Sequence, residues 1–271
     1  MDTGDTELLQ RVRAGDGLAL DLLLKRYEER IYAFGMRLCR EPEDARDVLQ
    51  ETLLTLARSA DSFEGRSSLS TWLFTVARSF CIKQRRRRVG APERLESLDD
   101  AGRFEASEPA TTARAPDDAA ADRQLADAIE TALARLDEPM REVVVLRDIE
   151  GLSAAETAEV LGVSVAATKS RLHRARTQLR ALLSPVFGPD ADRDDASTCP
   201  DIQRLWSRHQ EGEISASTCA EMEAHVAACP RCERVCDSLG RTLAQCRATP
   251  GPALPAAVQR SVRDALRAAS G

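Results

Sequence analysis

Aromatic residues are scarce in this sequence, with six Phe, two Trp and two Tyr making up 4% of 271 residues. Beside abundant Ala, Leu, Arg and Glu, that scarcity favours small helical bundles over β-sandwiches. No apolar run approaches the length needed to cross a bilayer. Val143-Val144-Val145-Leu146 is a short stretch inside a charged segment, so a membrane is not expected among the partners. The opening residues Met1-Asp2-Thr3-Gly4-Asp5 are acidic and lack the basic-then-apolar layout of a signal peptide, which predicts a cytoplasmic location. A convergent set of acid, base and nucleophile is missing too, and with it any reading as an enzyme. Cysteine is not scarce. Eight cysteines in a chain expected in a reducing compartment point to metal ligation before disulfides.

The net charge of −6 hides a strong segregation. Arg78 to Arg88 holds Lys83 and the run Arg85-Arg86-Arg87-Arg88 with no acid. Val165 to Arg180 holds Lys169, Arg171, Arg174, Arg176 and Arg180, again with no acid. Between them, Val89 to Ala121 carries eight acids against three arginines. Two basic patches separated by an acidic stretch predict a protein that touches DNA at two places.

The segment from Glu7 to about Arg88 reads as consecutive helices. In Glu43 to Arg58 the apolar residues Ala45, Val48, Leu49, Leu53 and Leu56 fall on one helical stripe. Glu43, Asp44, Asp47, Gln50 and Glu51 fall on the opposite face, which by itself reads as the solvated side of an amphipathic helix. Asp61 to Trp72 follows as a Gly- and Ser-containing loop, with Ser70 placed to cap the next helix. Phe63, Trp72 and Phe74 flank that loop and the basic run ends the helix. Aromatic surfaces beside cations are what single-stranded DNA requires, for stacking and for phosphate contact, although Trp72 and Phe74 also suit a core, Phe74 above all. Val89 to Ala121 shows no apolar period and reads as a flexible linker.

Order is expected to resume at Asp122, where Leu125, Ile129, Ala132, Leu133 and Leu136 have helical spacing. Ser153 followed by Glu156 spells a capping box, Gly162-Val163-Ser164 a turn, and Ser164 a second cap. This is helix-turn-helix grammar, whose second helix is offered to the major groove. Leu172, Ala175 and Leu179 form its inward stripe. Ala166, Ala167, Ser170, His173 and Arg174 face outward, with Lys169 and Arg171 on the flanks.

These pieces, in this order over roughly residues 5–183, resemble the extracytoplasmic-function (ECF) class of bacterial RNA polymerase sigma factors. Asp44-Ala45-Arg46-Asp47-Val48-Leu49-Gln50-Glu51-Thr52 is similar to the family's clamp-binding helix. Phe63-Glu64-Gly65-Arg66-Ser67-Ser68-Leu69-Ser70-Thr71-Trp72-Leu73 is similar to its promoter-melting loop, and Leu152 to Leu172 to its second DNA-binding domain. The resemblance implies that Asp44, Asp47, Gln50 and Glu51 meet the polymerase clamp, replacing the solvated-face reading. It implies that Phe63, Arg66, Ser67, Trp72, Arg85 and Arg86 act at the minus-ten element, where the loop traps a flipped base. Thr168, Lys169, Ser170, Arg171 and Arg174 would serve the minus-thirty-five element. Core RNA polymerase, through its clamp and flap, and promoter DNA are the implied partners.

Ordinary members of that class end near Pro185, whereas six cysteines of this chain lie in Cys199 to Cys246. His225-x3-Cys229-x2-Cys232 has chelating spacing, and Cys199 or Cys219 could supply a fourth soft ligand. Cys236 and Cys246 are further candidates, but with Cys232, Leu239 and Leu243 they also form one helical stripe and suit a core. Cys39 and Cys81 read as buried packing residues, and His173 and His209 have no partner at chelating spacing. Val258, Val262 and Leu266 could form a short amphipathic helix that docks on the preceding domains. The run from Cys199-Pro200-Asp201 through Glu211-Gly212-Glu213-Ile214 to Cys232 resembles the zinc-binding anti-sigma domain. That likeness implies Cys199, His225, Cys229 and Cys232 as metal ligands. Fusion to a sigma factor, with surplus cysteines, resembles the CorE-type metal-dependent sigma factors, which respond to copper or to cadmium and zinc.

The expected fold is all-α. Residues 5–88 form the first sigma domain (region 2), 89–121 the acidic linker and 122–184 the helix-turn-helix domain (region 4). Residues 196–248 form the cysteine-rich domain and 249–271 a tail with a short helix. The expected function is promoter-specific initiation controlled in cis by a thiophilic metal, with no separate anti-sigma factor required. The alternatives are a constitutive structural zinc module, a thiol redox switch, or a helix-turn-helix regulator that binds operator DNA without polymerase.

Overall fold

The computed structural model describes residues 3–60, 63–89, 116–187 and 199–270, and within them every regular element is helical. The described chain separates into two compact units, one of residues 1–118 with 251–271, the other of residues 119–250.

The first unit comprises α1 (Thr3–Arg13), α2 (Gly17–Cys39), α3 (Pro42–Ser59), α4 (Leu69–Val89) and α12 (Ala256–Ser270). Asp16 starts α2 by accepting the N–H groups of Leu18 and Ala19, and Arg40 ends it in the left-handed region. Pro42 opens α3, where its missing N–H costs nothing. Ser70 was expected to cap α4, but that helix already begins at Leu69. Its cap is Ser68, whose Oγ accepts the Thr71 N–H at 3.2 Å. Tyr27, Ile31 and Phe34 of α2, Val48, Leu49 and Leu53 of α3, and Leu73 and Phe74 of α4 form the buried core. Burial of each large apolar side chain contributes roughly 1.5–3 kcal/mol. Phe74 is therefore a core residue, its ring 5.1 Å from that of Phe34.

Helix α12 packs against α3 and buries Val262 and Leu266, two of the apolar residues expected to form its inward face. Glu28 of α2 anchors it, accepting Arg263 at 3.0 and 3.2 Å and the side-chain amide of Gln259. Gly251, just ahead of the helix, lies so close to α2 that a Cβ there would fall 2.7 Å from that of Ala33.

The second unit holds α5 (Pro116–Arg135), α6 (Glu138–Val144) with a following π-turn (Val145–Ile149), α7 (Ala154–Leu161) and α8 (Val165–Phe187). It continues with α9 (Ile202–Gln210), α10 (Ala216–Ala228) and α11 (Pro230–Ala248). Helix α5 starts at Pro116, earlier than the expected Asp122, and a proline is well placed in a first turn. The rest of the anticipated linker, 90–115, and the 188–198 junction lie outside the described residues. Ile129, Leu133, Val143 to Leu146, Leu172, Ala175 and Leu179 make the core of α5 to α8. In the cysteine-rich part, Ile202, Met222, Cys232, Val235 and Leu239 form a smaller core, flanked by Trp206 and Cys236. Both α9 and α11 pack on α8.

Candidate metal centre and nucleic-acid interface

The helix-turn-helix assembles as its sequence grammar predicts. Ser153 and Glu156 complete a capping box, Gly162 takes a left-handed conformation at φ 66°, and Ser164 Oγ accepts the Ala167 N–H at 3.1 Å. Along α8, Ser170 and Arg174 are exposed, while Lys169 and Arg171 are half-buried. Thr168 departs from the expectation of a DNA contact. It is fully buried and its hydroxyl donates to the Ser164 carbonyl, because it shares the inward side with Leu172, Ala175 and Leu179.

The cations of α8 meet acids brought by the turn between α9 and α10. Lys169 Nζ lies 2.7 Å from Glu213. Arg176, counted in the basic patch, has a side chain only 1% exposed. It forks onto Asp148 at 3.0 and 2.6 Å and reaches Glu211 at 2.8 Å and the Ser207 hydroxyl at 3.1 Å. Burial opposes its charge, but the hydrogen bond and charge of Asp148, joined by Glu211, outweigh this and raise its pKa. Arg147 adds a contact to Glu211 at 3.0 Å, and Arg247 donates to the Asp148 carbonyl at 3.1 Å. Sequence reasoning missed this network. Its only local trace is the Glu211-Gly212-Glu213 run.

In the first unit, the acidic face expected on α3 is uneven. Asp44 is buried at 8% exposure, Asp47 and Gln50 are half-buried, and Glu51 is exposed. Asp44 turns inward at the first turn of α3, where position on an isolated helix does not decide burial. Asp47 accepts the Gln84 amide at 3.2 Å. Phe63 and Trp72 meet edge to face with ring centres 5.8 Å apart. With Ser59, Glu64, Gly65, Arg66 and Ser67 they line an open concavity of about 360 Å³. Arg66 pairs with Glu64 at a solvent-exposed position, and Arg13 donates to the Phe63 carbonyl. Arg86 is exposed and Arg85 half-buried. The loop thus places two aromatic rings and Arg66 around one concavity, an arrangement suited to an unstacked base and its phosphate.

Cys199 precedes α9, His225 lies near the end of α10, Cys229 caps α11 and Cys232 follows in its first turn. Their ligand atoms all lie within 4.8 Å of one another. Cys199 and Cys229 Sγ are 3.8 Å apart, and His225 Nε2 is 3.2 Å from Cys232 Sγ. Two thiolates on a tetrahedral zinc with Zn–S of about 2.3 Å would stand ~3.8 Å apart, so the donor set fits a tetrahedral soft ion. The backbone N–H of Cys232, helped by the thiols of Cys232 and Cys199, holds Cys229 below the ordinary thiol pKa. Burial, with Cys229 and Cys199 nearby, pushes Cys232 up to about 12.

The fourth position left open by the sequence falls to Cys199. Cys219 stands apart from the cluster, 3.5 Å from His209 Nδ1 and 3.3 Å from Glu223. His209, passed over for want of a nearby chelating partner, meets Cys219 across the hairpin of α9 and α10. Cys236 and Cys246 also lie apart from the four. Cys246 is fully buried and Cys236 packs at the edge of the small core, positions that suit the core stripe with Leu239 and Leu243. Burial and the charge of Asp237 push Cys236 up to about 11.

Residues 23–90 match the Sigma-70 region 2 family, residues 126–179 the Sigma-70, region 4 family, and residues 199–232 a zinc-finger family. The chain is similar to the ECF RNA polymerase sigma factor SigM of Mycobacterium tuberculosis, 34% identical over 182 residues, covering 67% of this chain and 86% of SigM. It is also similar to the RNA polymerase sigma-H factor of Pseudomonas aeruginosa, 29% identical over 187 residues, covering 68% of this chain and 95% of that factor. Among solved structures it resembles CnrH in complex with the cytosolic domain of CnrY, with 27% identity, a TM-score of 0.46, and 68% and 99% of the two chains covered. It also resembles the sigma factor RpoE in complex with the anti-sigma factor NepR from Bartonella quintana, with 28% identity, a TM-score of 0.47, and 64% and 98% covered.

Proposed function

As this chain belongs to the ECF family of RNA polymerase sigma factors, non-enzymatic initiation factors that bind polymerase and promoter DNA, we propose that a thiophilic metal at Cys199, His225, Cys229 and Cys232 controls its initiation activity in cis. The observation that carries this reading is the pairing of Lys169 with Glu213. The same small domain that gathers the four ligands presents an acid to the helix assigned to the minus-thirty-five element. A carboxylate there competes with DNA phosphate or guanine for one cation.

The ligands join the start of α9, the end of α10 and the start of α11, so a bound ion would hold these three helices together. Glu211 and Glu213 sit at the turn between α9 and α10, and their reach to Arg176 and Lys169 depends on how that hairpin is held. Thiolate and imidazole donors select copper, zinc or cadmium over magnesium or calcium. On the polymerase side, α12 lies along α3, the helix assigned to the clamp through Asp47, Gln50 and Glu51. On this reading the restraint is carried by the chain itself.

A second reading is favoured by the closed set of four ligands, which is the pattern of a constitutive structural zinc. Run-off transcription with core polymerase, titrating copper, cadmium and zinc without oxygen, separates the two. Under metal control, wild-type output shifts with metal, while Cys229→Ala and Cys232→Ala give a flat response. Equal output from the full chain and a chain lacking residues 196–271 at every metal concentration would leave the structural zinc standing.

A further inference from the structure

Cys39, the last residue of α2, and Cys81, in the middle of α4, belong to the first unit, whereas the four candidate metal ligands belong to the second. Their exposures are 8% and 0%, and their Sγ atoms are 2.7 Å apart. That separation discriminates between the uses of a thiol pair. Two thiolates sharing one tetrahedral soft ion would stand ~3.8 Å apart, and across a linear two-coordinate ion ~4.6 Å, from a metal–sulfur length of about 2.3 Å. Both are too wide. A disulfide holds its sulfurs at about 2.05 Å, so under an ångström of further approach closes the bond.

We propose that Cys39 and Cys81 form a reversible disulfide, a site of two-electron oxidation separate from the metal cluster. With hydrogen peroxide as oxidant, one thiolate attacks a peroxide oxygen and the O–O bond breaks. The products are a sulfenic acid and hydroxide, which takes up a proton to become water. The second thiol then attacks the sulfenic sulfur, the S–S bond forms, and the sulfenic oxygen leaves as a second water. Two thiols and one peroxide thus become one disulfide and two waters, and a dithiol reductant returns the two electrons by thiol–disulfide exchange.

Burial sets the kinetics and topology sets the consequence. Peroxide reaches the pair only when α2 and α4 open locally, so the exchange is slower than at exposed thiols. The covalent loop from 39 to 81 would enclose the whole of α3 and the Phe63 to Trp72 loop. Closing it restricts the unfolded chain and ties together the helices that frame the assigned clamp and minus-ten contacts.

The test uses the full-length chain with zinc added to occupy the cysteine-rich cluster. After peroxide treatment and alkylation, a non-reducing digest should contain a Cys39–Cys81 linked peptide, lighter by two hydrogens and lost on reduction. The melting temperature should rise with oxidation in the wild type and stay unchanged by it in Cys39→Ala and Cys81→Ala. Recovery of both cysteines only as alkylated or sulfinic forms would overturn the assignment. So would a peroxide-induced shift that persists in the alanine variants. The linked peptide is read on the wild type, so the result does not depend on the folding of either variant.

Discussion

Arg176 sits in the helix assigned to DNA, in a run of cations with no intervening acid, yet its guanidinium is enclosed by Asp148, Glu211 and Ser207. Removing it leaves two buried carboxylates without their shared cation, a loss of the kind that costs about 3–5 kcal/mol. Arg176→Ala should therefore lower the denaturant-unfolding free energy by that order. Arg174→Ala, on the exposed side, should change it by no more than about 0.5 kcal/mol. A small effect at Arg176 would mean that its ion pairs contribute little. Glu213 is the opposite case, because its pair with Lys169 is partly solvated and worth only about 0.2–1 kcal/mol. Glu213→Gln should hardly alter stability but should tighten binding to minus-thirty-five DNA, read by fluorescence anisotropy. Unchanged affinity would remove Lys169 from the DNA-reading set. The residues of both pairs are plain in the sequence and the pairings are not, because helical spacing links only neighbours along one helix. The same limit hid the inward turn of Asp44 and the meeting of His209 with Cys219, whereas His225, Cys229 and Cys232 were legible from chelating spacing alone.

At the scale of elements, what could be read was what local chemistry decides. The capping box at Ser153, the turn at Gly162 and the apolar stripes of α3 and α8 each follow from a few adjacent side chains, and the structure holds them where the pattern puts them. Helix α5 began earlier than expected because its first turns are rich in alanine and aspartate. Alanine favours helix and aspartate suits a first turn, and neither supplies the apolar period that would announce it. Helix α12 was legible as amphipathic, but its seat on α3 and Glu28 rests on tertiary packing. Gly251 gives a handle on that seat. In Gly251→Val the added side chain would press on Ala33, so α12 should detach more often. Hydrogen exchange across 256–270 should quicken while α8 keeps its protection. If α12 shields α3, polymerase binding should strengthen in the same variant, and unaltered exchange would place the strain elsewhere.

For the whole molecule, the helical class and the succession of two sigma domains and a cysteine-rich segment were present in the pattern of charge, caps and cysteines. The division of the C-terminal segment was not: α9 to α11 fold with the helix-turn-helix and α12 with the first domain. Metal binding at the cluster carries a pH signature. Cys229 is held low and Cys232 high, so an ion must displace the proton of a thiol pushed up to about 12. Loading near neutral pH should release protons, and affinity should fall as pH falls, because protons compete for the donors. Calorimetric titration of zinc in buffers of different ionisation enthalpy checks this. Heats independent of buffer would exclude thiolate ligation.

The seat of α12 has one more consequence. A helix of 15 residues held by Val262, Leu266 and one carboxylate would bind feebly as a detached peptide. On the same chain it is present at an effective concentration on the order of millimolar, so even a dissociation constant of about a millimolar leaves it seated half the time. That occupancy does not change with expression level or dilution, and if polymerase binds at α3 as proposed, it faces the same opponent in every copy. On that reading the threshold for engagement is written into the tether, and lengthening the chain between Ala248 and Gly251 would lower it while leaving the contacts of α12 in place.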